Sequence, residues 1–168
     1  MTHAEREKLF LELFHGHRAR IQRLCYAYLN SASESEDLFQ EIMTNVWNAL
    51  PKFRGDAQPG TWLYRIAVNT ALMHRRKLRP TEELVDVPDR AIGAQQSLEQ
   101  QERLAELYRA IATLGDQDRL IVTLLLEGMS YREIAEITGI TVNYVGVKIT
   151  RIKQAIEQKM TEVSHGAV

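Results

Sequence analysis

Between residues 80 and 97 the helical repeat that organises the rest of this chain stops. The stretch opens Pro80-Thr81-Glu82-Glu83-Leu84-Val85-Asp86-Val87-Pro88-Asp89 and continues through Gly93 to Ser97. Its apolar residues keep no spacing of three and four, and its prolines and glycine break regular structure. A chain of 168 residues interrupted in this way is predicted to build two small cores. The expected division is one unit over residues 1–79, a flexible acidic linker over 80–97 and a second unit over 98–168.

On either side the spacing is helical. Leu9, Leu13 and Phe14, then Ile21, Leu24, Cys25, Tyr28 and Leu29, recur at three and four. The segment Asn30–Ser33 interrupts them. Ser33 or Ser35 is predicted to cap the next helix, with Glu34, Glu36 and Asp37 at its positive end. Leu38, Ile42, Val46 and Leu50 give that helix one apolar stripe, and Pro51 stops it. Lys52 to Gly60 reads as a loop. Thr61 is the expected cap of a helix running to about Leu78.

Beyond the linker, Leu98, Leu104, Leu107, Ile111 and Leu114 mark a helix, and Leu120, Ile121, Leu124 and Leu125 mark another. Ser130-Tyr131-Arg132-Glu133 is a capping box for a short helix that Gly139 ends, and Thr141 caps a last helix to about Met160. Nothing reads as a strand. The predicted class is all-α, two small helical domains joined by a flexible linker.

No apolar run approaches the roughly 20 residues of a membrane span, and the charged start, Thr2-His3-Ala4-Glu5-Arg6-Glu7-Lys8, is unlike a signal peptide. The expectation is a cytoplasmic protein. Cys25 is the single cysteine, so an internal disulfide is impossible. Its apolar neighbours predict a buried structural thiol. The net charge of −1 hides an asymmetry: +4 over residues 1–79, −4 over 80–110 and −1 over 111–168. Residues 65–79 hold five Arg and Lys and no acid. A local basic field suits phosphate binding, while the near-neutral total argues against indiscriminate DNA binding.

The segment from Ser130 to Arg151 has the pattern of a helix-turn-helix. Ala135 is small where two helices cross, Gly139 accepts positive φ at the turn, and Val145 starts the inward stripe Val145, Ile149, Ile152 and Ile156. Thr141, Asn143, Tyr144, Val147, Lys148 and Arg151 are then predicted to face out. Asn pairs with adenine, Lys and Arg with guanine or phosphate, and Val and Thr with a thymine methyl. The bland reading is a helical hairpin with a solvated outer face. The agreement of cap, turn, stripe and basic face favours DNA.

On the helix after Thr61, residues Trp62, Arg65, Asn69, Met73 and Arg76 share one face. Aromatics stack on unpaired bases while cations hold phosphates, as binders of single strands require. For Trp62 itself, core packing and base contact fit equally well. The Arg75-Arg76-Lys77 run also suits the negative end of a helix dipole. On the preceding helix Glu34, Asp37 and Glu41 share a face. They fit a basic partner surface or simple solvation. No histidine lies near these acids in sequence, and no Cys/His metal motif is present. No metal site, cofactor or catalytic residue is therefore predicted.

These residues resemble a known family. Asp37-Leu38-Phe39-Gln40-Glu41, Val46-Trp47, Phe53-Arg54-Gly55 and Thr61-Trp62-Leu63-Tyr64-Arg65-Ile66-Ala67, followed by Asn69, are similar to region 2 of bacterial extracytoplasmic-function sigma factors, group IV of the sigma-70 family. Leu114 with Arg119, Glu127-Gly128-Met129-Ser130-Tyr131, Glu133-Ile134-Ala135 and Gly139-Ile140-Thr141 resemble region 4 of the same group. The order and spacing match its two-domain architecture.

The resemblance implies an alternative sigma factor that binds core RNA polymerase and directs promoter-specific initiation. Asp37, Leu38, Gln40 and Glu41 would dock on the β′ clamp helices. Lys52, Phe53, Arg54, Gly55 and Asp56, with the loop as far as Gln58, would capture a flipped base of the −10 element. Trp62, Arg65, Asn69 and Arg76 would contact and melt that element. Thr141, Asn143, Tyr144, Val147, Lys148 and Arg151 would read the −35 duplex, with region 4 touching the β flap and the linker threading near the RNA exit channel. An anti-sigma factor is the expected inhibitor.

Two departures stand out. Gly146-Val147 occupies a place where many members have Lys or Arg followed by Ser. This removes a phosphate contact and lets the backbone approach DNA closely. Pro59-Gly60 precedes Thr61 where an aromatic is common. A stand-alone helix-turn-helix regulator of duplex DNA is the alternative, but it gives the Asp37–Glu41 and Trp62–Asn69 helices no task. A metal-dependent nuclease would need a convergent His/Asp/Glu set, which the sequence lacks.

Overall fold

The computed structural model describes residues 1–77 and 97–166. Among them the chain is helical throughout, with no strand. The expected linker over 80–97, apart from Ser97, lies outside the described residues, as do Leu78 and Arg79 of the first expected unit and the last two residues of the second.

The first unit is α1 (His3–Leu29), α2 (Ala32–Ala49), a 3-10 turn at Leu50–Lys52, and α3 (Pro59–Lys77). Thr2 and Glu5 form a reciprocal capping box on α1. Asn30 ends α1 at φ 55°, a left-handed conformation that asparagine tolerates, with its N–H donating to the Tyr26 carbonyl. The cap of α2 is Ser31, which accepts from the Glu34 amide, and not Ser33 or Ser35 as the sequence suggested. Asn30 alone reverses the chain, so α2 begins earlier than expected. The helix α3 also starts early. Trp62 N donates to the Gln58 carbonyl, placing Pro59 in the first turn and Thr61 inside the helix rather than at its cap. Proline is suited to that turn because the first helical N–H groups have no intrahelical acceptor anyway.

The second unit is α4 (Leu98–Ala112), α5 (Asp116–Leu126), α6 (Tyr131–Thr138) and α7 (Val142–His165). Leu98, expected on the apolar stripe of α4, is 72% exposed because it is the first residue after the Ser97 cap. The last helix continues past Met160 to His165.

The predicted stripes line the cores, with Leu9, Phe14, Leu104, Leu107, Leu114 and Leu125 only half-buried. Ile21, Leu24, Leu38, Ile42, Val46, Leu50 and Ala67 are wholly buried in the first unit, as are Ile111, Ile121, Leu124, Ile134 and Val145 in the second. Each large aliphatic side chain buried in this way contributes roughly 1.5–3 kcal/mol. Cys25 is buried as expected, and burial pushes its thiol up to about 12.

The two units pack against each other: α1 lies on α4 and α5, and α3 lies on α5 and α6. Arg119 of α5, 2% exposed, donates to the Tyr28 carbonyl at the end of α1 (2.8 Å) and also to the Ala112 and Leu114 carbonyls of its own unit. Arg23 of α1 holds Glu127 through two bonds of 2.9 and 2.8 Å. Arg75 of α3 pairs with Asp116 at 2.6 Å. The rings of Tyr26 and Tyr108 meet edge to face across the same seam.

Candidate nucleic-acid interface

The helix-turn-helix forms as its sequence requires. Ser130 and Glu133 cap α6 reciprocally, and the backbone hydrogen bond to Ser130 is what holds the Glu133 carboxyl below its usual range. Gly139 sits at φ 78°, where a side chain would be strained. Thr141 accepts from the Tyr144 amide and starts α7. Val145, Ile149, Ile152 and Ile156 point inward. Thr141, Asn143, Tyr144, Val147 and Arg151 are exposed together on the other side. Lys148 differs from expectation. Its ammonium bonds Asp118 of α5 at 2.7 Å and lies over the Tyr144 ring, and the Asp118 bond raises its pKa. Lys148 therefore braces α7 against α5 as well as bordering the exposed face.

Gly146 is half-buried, and a Cβ built there would meet the Tyr131 ring of α6 at 3.7 Å. The missing side chain thus faces a neighbouring helix. The expected close approach of backbone to DNA at this point has no support in the geometry.

In the first unit, the loop between the 3-10 turn and α3 folds beside the exposed face of α3. The Phe53 and Trp62 rings pack at 4.9 Å with 50° between their planes. Trp62 is half-buried, so core packing and an accessible edge coexist in one side chain. Lys52, Arg54, Gly55 and Asp56 are exposed, and Gly55 turns the loop at φ 80°. Phe53, Gly55, Asp56, Gln58, Pro59 and Arg65 line an open hollow together with Glu136 of α6. Arg65, Asn69, Met73 and Arg76 continue the exposed face along α3. Arg65 is engaged: its Nε donates to the Glu136 carbonyl at 2.8 Å.

On α2, Asp37 and Gln40 are exposed, while Leu38 is wholly buried and packs the core instead of meeting solvent. Glu41 is half-buried. Its carboxylate lies 2.7 Å from His74 Nδ1 and 3.5 Å from Lys77 Nζ. The His74 hydrogen bond is the main reason its pKa is lowered. The α2 acids are thus partly committed to α3. No group of His, Cys, Asp and Glu among the described residues is arranged to hold a metal ion. No described helix is long and apolar enough to cross a membrane.

What sequence reasoning missed is the set of contacts joining the units, made by Arg23, Arg75, Asp116, Glu127 and Glu136. No periodicity marks them, because each contact joins positions far apart in the chain. Arg75, Arg119 and Glu127 were visible as motif residues, but their reach to Asp116, Tyr28 and Arg23 was not.

Residues 13–81 match the model of sigma-70 region 2, and residues 104–156 match that of sigma-70 region 4. The chain is 33% identical to the ECF RNA polymerase sigma-E factor of Escherichia coli K12, over 92% of this chain and 87% of that one. It is also 33% identical to the RNA polymerase sigma-H factor of Pseudomonas aeruginosa, over 84% and 80%. Two solved structures share the fold. One is CnrH in complex with the cytosolic domain of CnrY (TM-score 0.69, 20% identity, 91% of this chain and 88% of that chain). The other is the sigma factor RpoE with the anti-sigma factor NepR from Bartonella quintana (TM-score 0.72, 18% identity, 95% and 98%). The chain belongs to the extracytoplasmic-function branch of the sigma-70 family.

Proposed function

We propose that this chain binds core RNA polymerase as an alternative sigma factor and brings it to a particular class of promoters. The observation that carries this is a pair of exposed faces, one on each unit, whose side chains suit nucleic acid. The α7 face is a rod of major-groove dimensions with polar, basic and methyl-bearing side chains. The α3 face and its loop offer an aromatic pair, a hollow and cations, which suits bases taken out of the stack.

The division of labour follows from those surfaces. The exposed side of α7, from Thr141 to Arg151, reads duplex −35 DNA. Flipping a −10 base costs a few kcal/mol, which stacking and pocket contacts offset. Phe53, Trp62 and the loop Lys52–Gln58 receive the base, and Arg65, Asn69 and Arg76 hold the strand. Asp37, Gln40 and Glu41 present the acidic face that docks on the polymerase clamp, while Leu38 fixes its helix from beneath. Region 4 also touches the β flap. The protein acts in the cytoplasm without catalytic residues of its own. An anti-sigma factor restrains it until a signal arrives, a reading supported by the complexes in which fold relatives were solved.

The test is transcription in vitro with purified core polymerase and fragmented genomic DNA, mapping transcript starts. Discrete starts that need this protein, with shared upstream elements, are the expected result. Absence of such starts with a folded protein and an active core would refute the reading.

A further inference from the structure

We infer that Asp118 is a positioning residue for the duplex-reading face: from the start of α5 it ties down Lys148 against Tyr144, so that the tyrosine is presented to DNA and the lysine is withheld from the phosphates. The inference rests on the proposed −35 role of α7 and names how that face is built.

Tyr144 and Lys148 are four residues apart on α7, so their side chains meet on one side of the helix. The Lys148 ammonium lies 2.7 Å from Asp118 Oδ1 and 5.2 Å from the centre of the Tyr144 ring. The Lys148 side chain is only 16% exposed, whereas Tyr144 is 45% exposed. The order Asp118, Lys148, Tyr144 thus runs from a neighbouring helix out to the proposed DNA face. Asp118 has its own reason to stay in place. It stands in the first turn of α5, where the helix dipole favours a negative charge. Its bond to Lys148 is the main reason the lysine pKa is raised, which keeps the ammonium charged.

A lysine held in this way reaches a phosphate only by leaving both the carboxylate and the ring. Of the two cations that the sequence placed on this face, Arg151 alone is left exposed. The distinction matters because the two kinds of contact do different work. A phosphate contact adds affinity for any sequence, and contacts to base edges and thymine methyls discriminate among sequences. Holding Lys148 back lowers the share of binding that ignores sequence. The same ammonium braces the Tyr144 ring beside Asn143 and Val147, both exposed. A braced ring has less freedom to lose on meeting a groove. Asp118 touches no DNA in this arrangement, yet it sets both effects through Lys148.

The test measures binding of the full chain, assembled with core polymerase, to a duplex promoter fragment that stops upstream of the −10 element. A copy with the −35 element scrambled is measured beside it, over about 50 to 200 mM salt. Asp118→Asn keeps the shape of the side chain and removes its charge. The expected result is a log affinity that falls more steeply with log salt, by about 0.9, the value of one added phosphate contact. Preference for the intact −35 element over the scrambled copy should fall at the same time. Adding Lys148→Gln to Asp118→Asn should return the slope to that of the wild type without restoring the preference. A smaller folded fraction lowers binding at every salt concentration alike and leaves the slope where it was. An unchanged slope in Asp118→Asn overturns the inference. So does a steeper slope that persists once Lys148→Gln is added, because Asp118 would then simply repel DNA. Arg151→Ala separates the inference from the reading beneath it, and should make the slope shallower by about 0.9. If Arg151→Ala moves the slope and Asp118→Asn does not, the inference alone fails. If neither moves it, α7 is not the duplex-reading face and both fail.

Discussion

Gly146 illustrates how one residue's role depends on what stands opposite it. A Cβ there meets only the Tyr131 ring at an ordinary contact distance, while glycine in a helix interior costs roughly 1 kcal/mol against alanine. Gly146→Ala should therefore raise stability by up to about 1 kcal/mol, a shift of a few degrees in Tm. Thermal unfolding followed by circular dichroism checks this, and a lower Tm would mean that the α6–α7 contact has no room for the methyl. Glu41 gives a second residue-scale prediction. Its folded pKa is depressed, so the unfolded chain takes up a proton first as pH falls. The stability it adds is present above the ordinary carboxylate value of 4.5 and is lost as pH drops through its lower folded value. Wild type and Glu41→Gln should differ in Tm at neutral pH and converge in acid. A gap that persists in acid would show that the charge on Glu41 is not the cause.

At the scale of the element, the proposed docking role falls on α2 and the proposed melting role on α3. Asp37 and Gln40 are exposed on α2 and make no bond that the fold requires. Asp37→Ala with Gln40→Ala should weaken binding to core polymerase by tenfold or so, about 1.4 kcal/mol, and leave helicity unchanged. Loss of helicity with unchanged affinity would make the pair structural. On α3, Asn69→Ala should slow promoter opening more than it weakens initial binding, as stopped-flow opening kinetics would read. Equal losses would place Asn69 in duplex contact. Both helices were legible in the sequence, α2 because Leu38, Ile42 and Val46 keep one face at helical spacing, a stripe that Leu50 of the following 3-10 turn continues. Their starts were less legible. The cap of α2 depends on Asn30 taking a left-handed turn, and the start of α3 depends on Pro59 needing no donor. Both are choices among neighbours of similar propensity, settled by the tertiary position of the chain.

At the scale of the whole molecule, sequence periodicity gave two units but no hint that they close on each other. Closure rests on Arg23 with Glu127 and Arg75 with Asp116, residues that look like ordinary surface charges within their own helices. Charge patterning along a helix cannot reveal a partner that lies on a different unit. The candidate site was more legible. The exposed face of α7 could be read directly from the inward stripe that opposes it, but not the Lys148 bond to Asp118 or the Tyr131 ring beside Gly146, because each partner belongs to a neighbouring helix. The net charge of −1 fits a molecule whose basic surfaces are local.

The proposed function gives two surfaces two jobs, one on duplex and one on melted DNA. The most direct test is permanganate reactivity of unpaired thymines, together with footprinting, on a promoter mapped for this protein with core polymerase. Trp62→Ala and Asn69→Ala should abolish thymine reactivity near −10 and leave upstream protection in place. Arg151→Ala with Asn143→Ala should remove the −35 protection first. If both pairs of changes remove both signals equally, or if the α7 changes alone abolish melting at a promoter that still binds, the division of labour is contradicted.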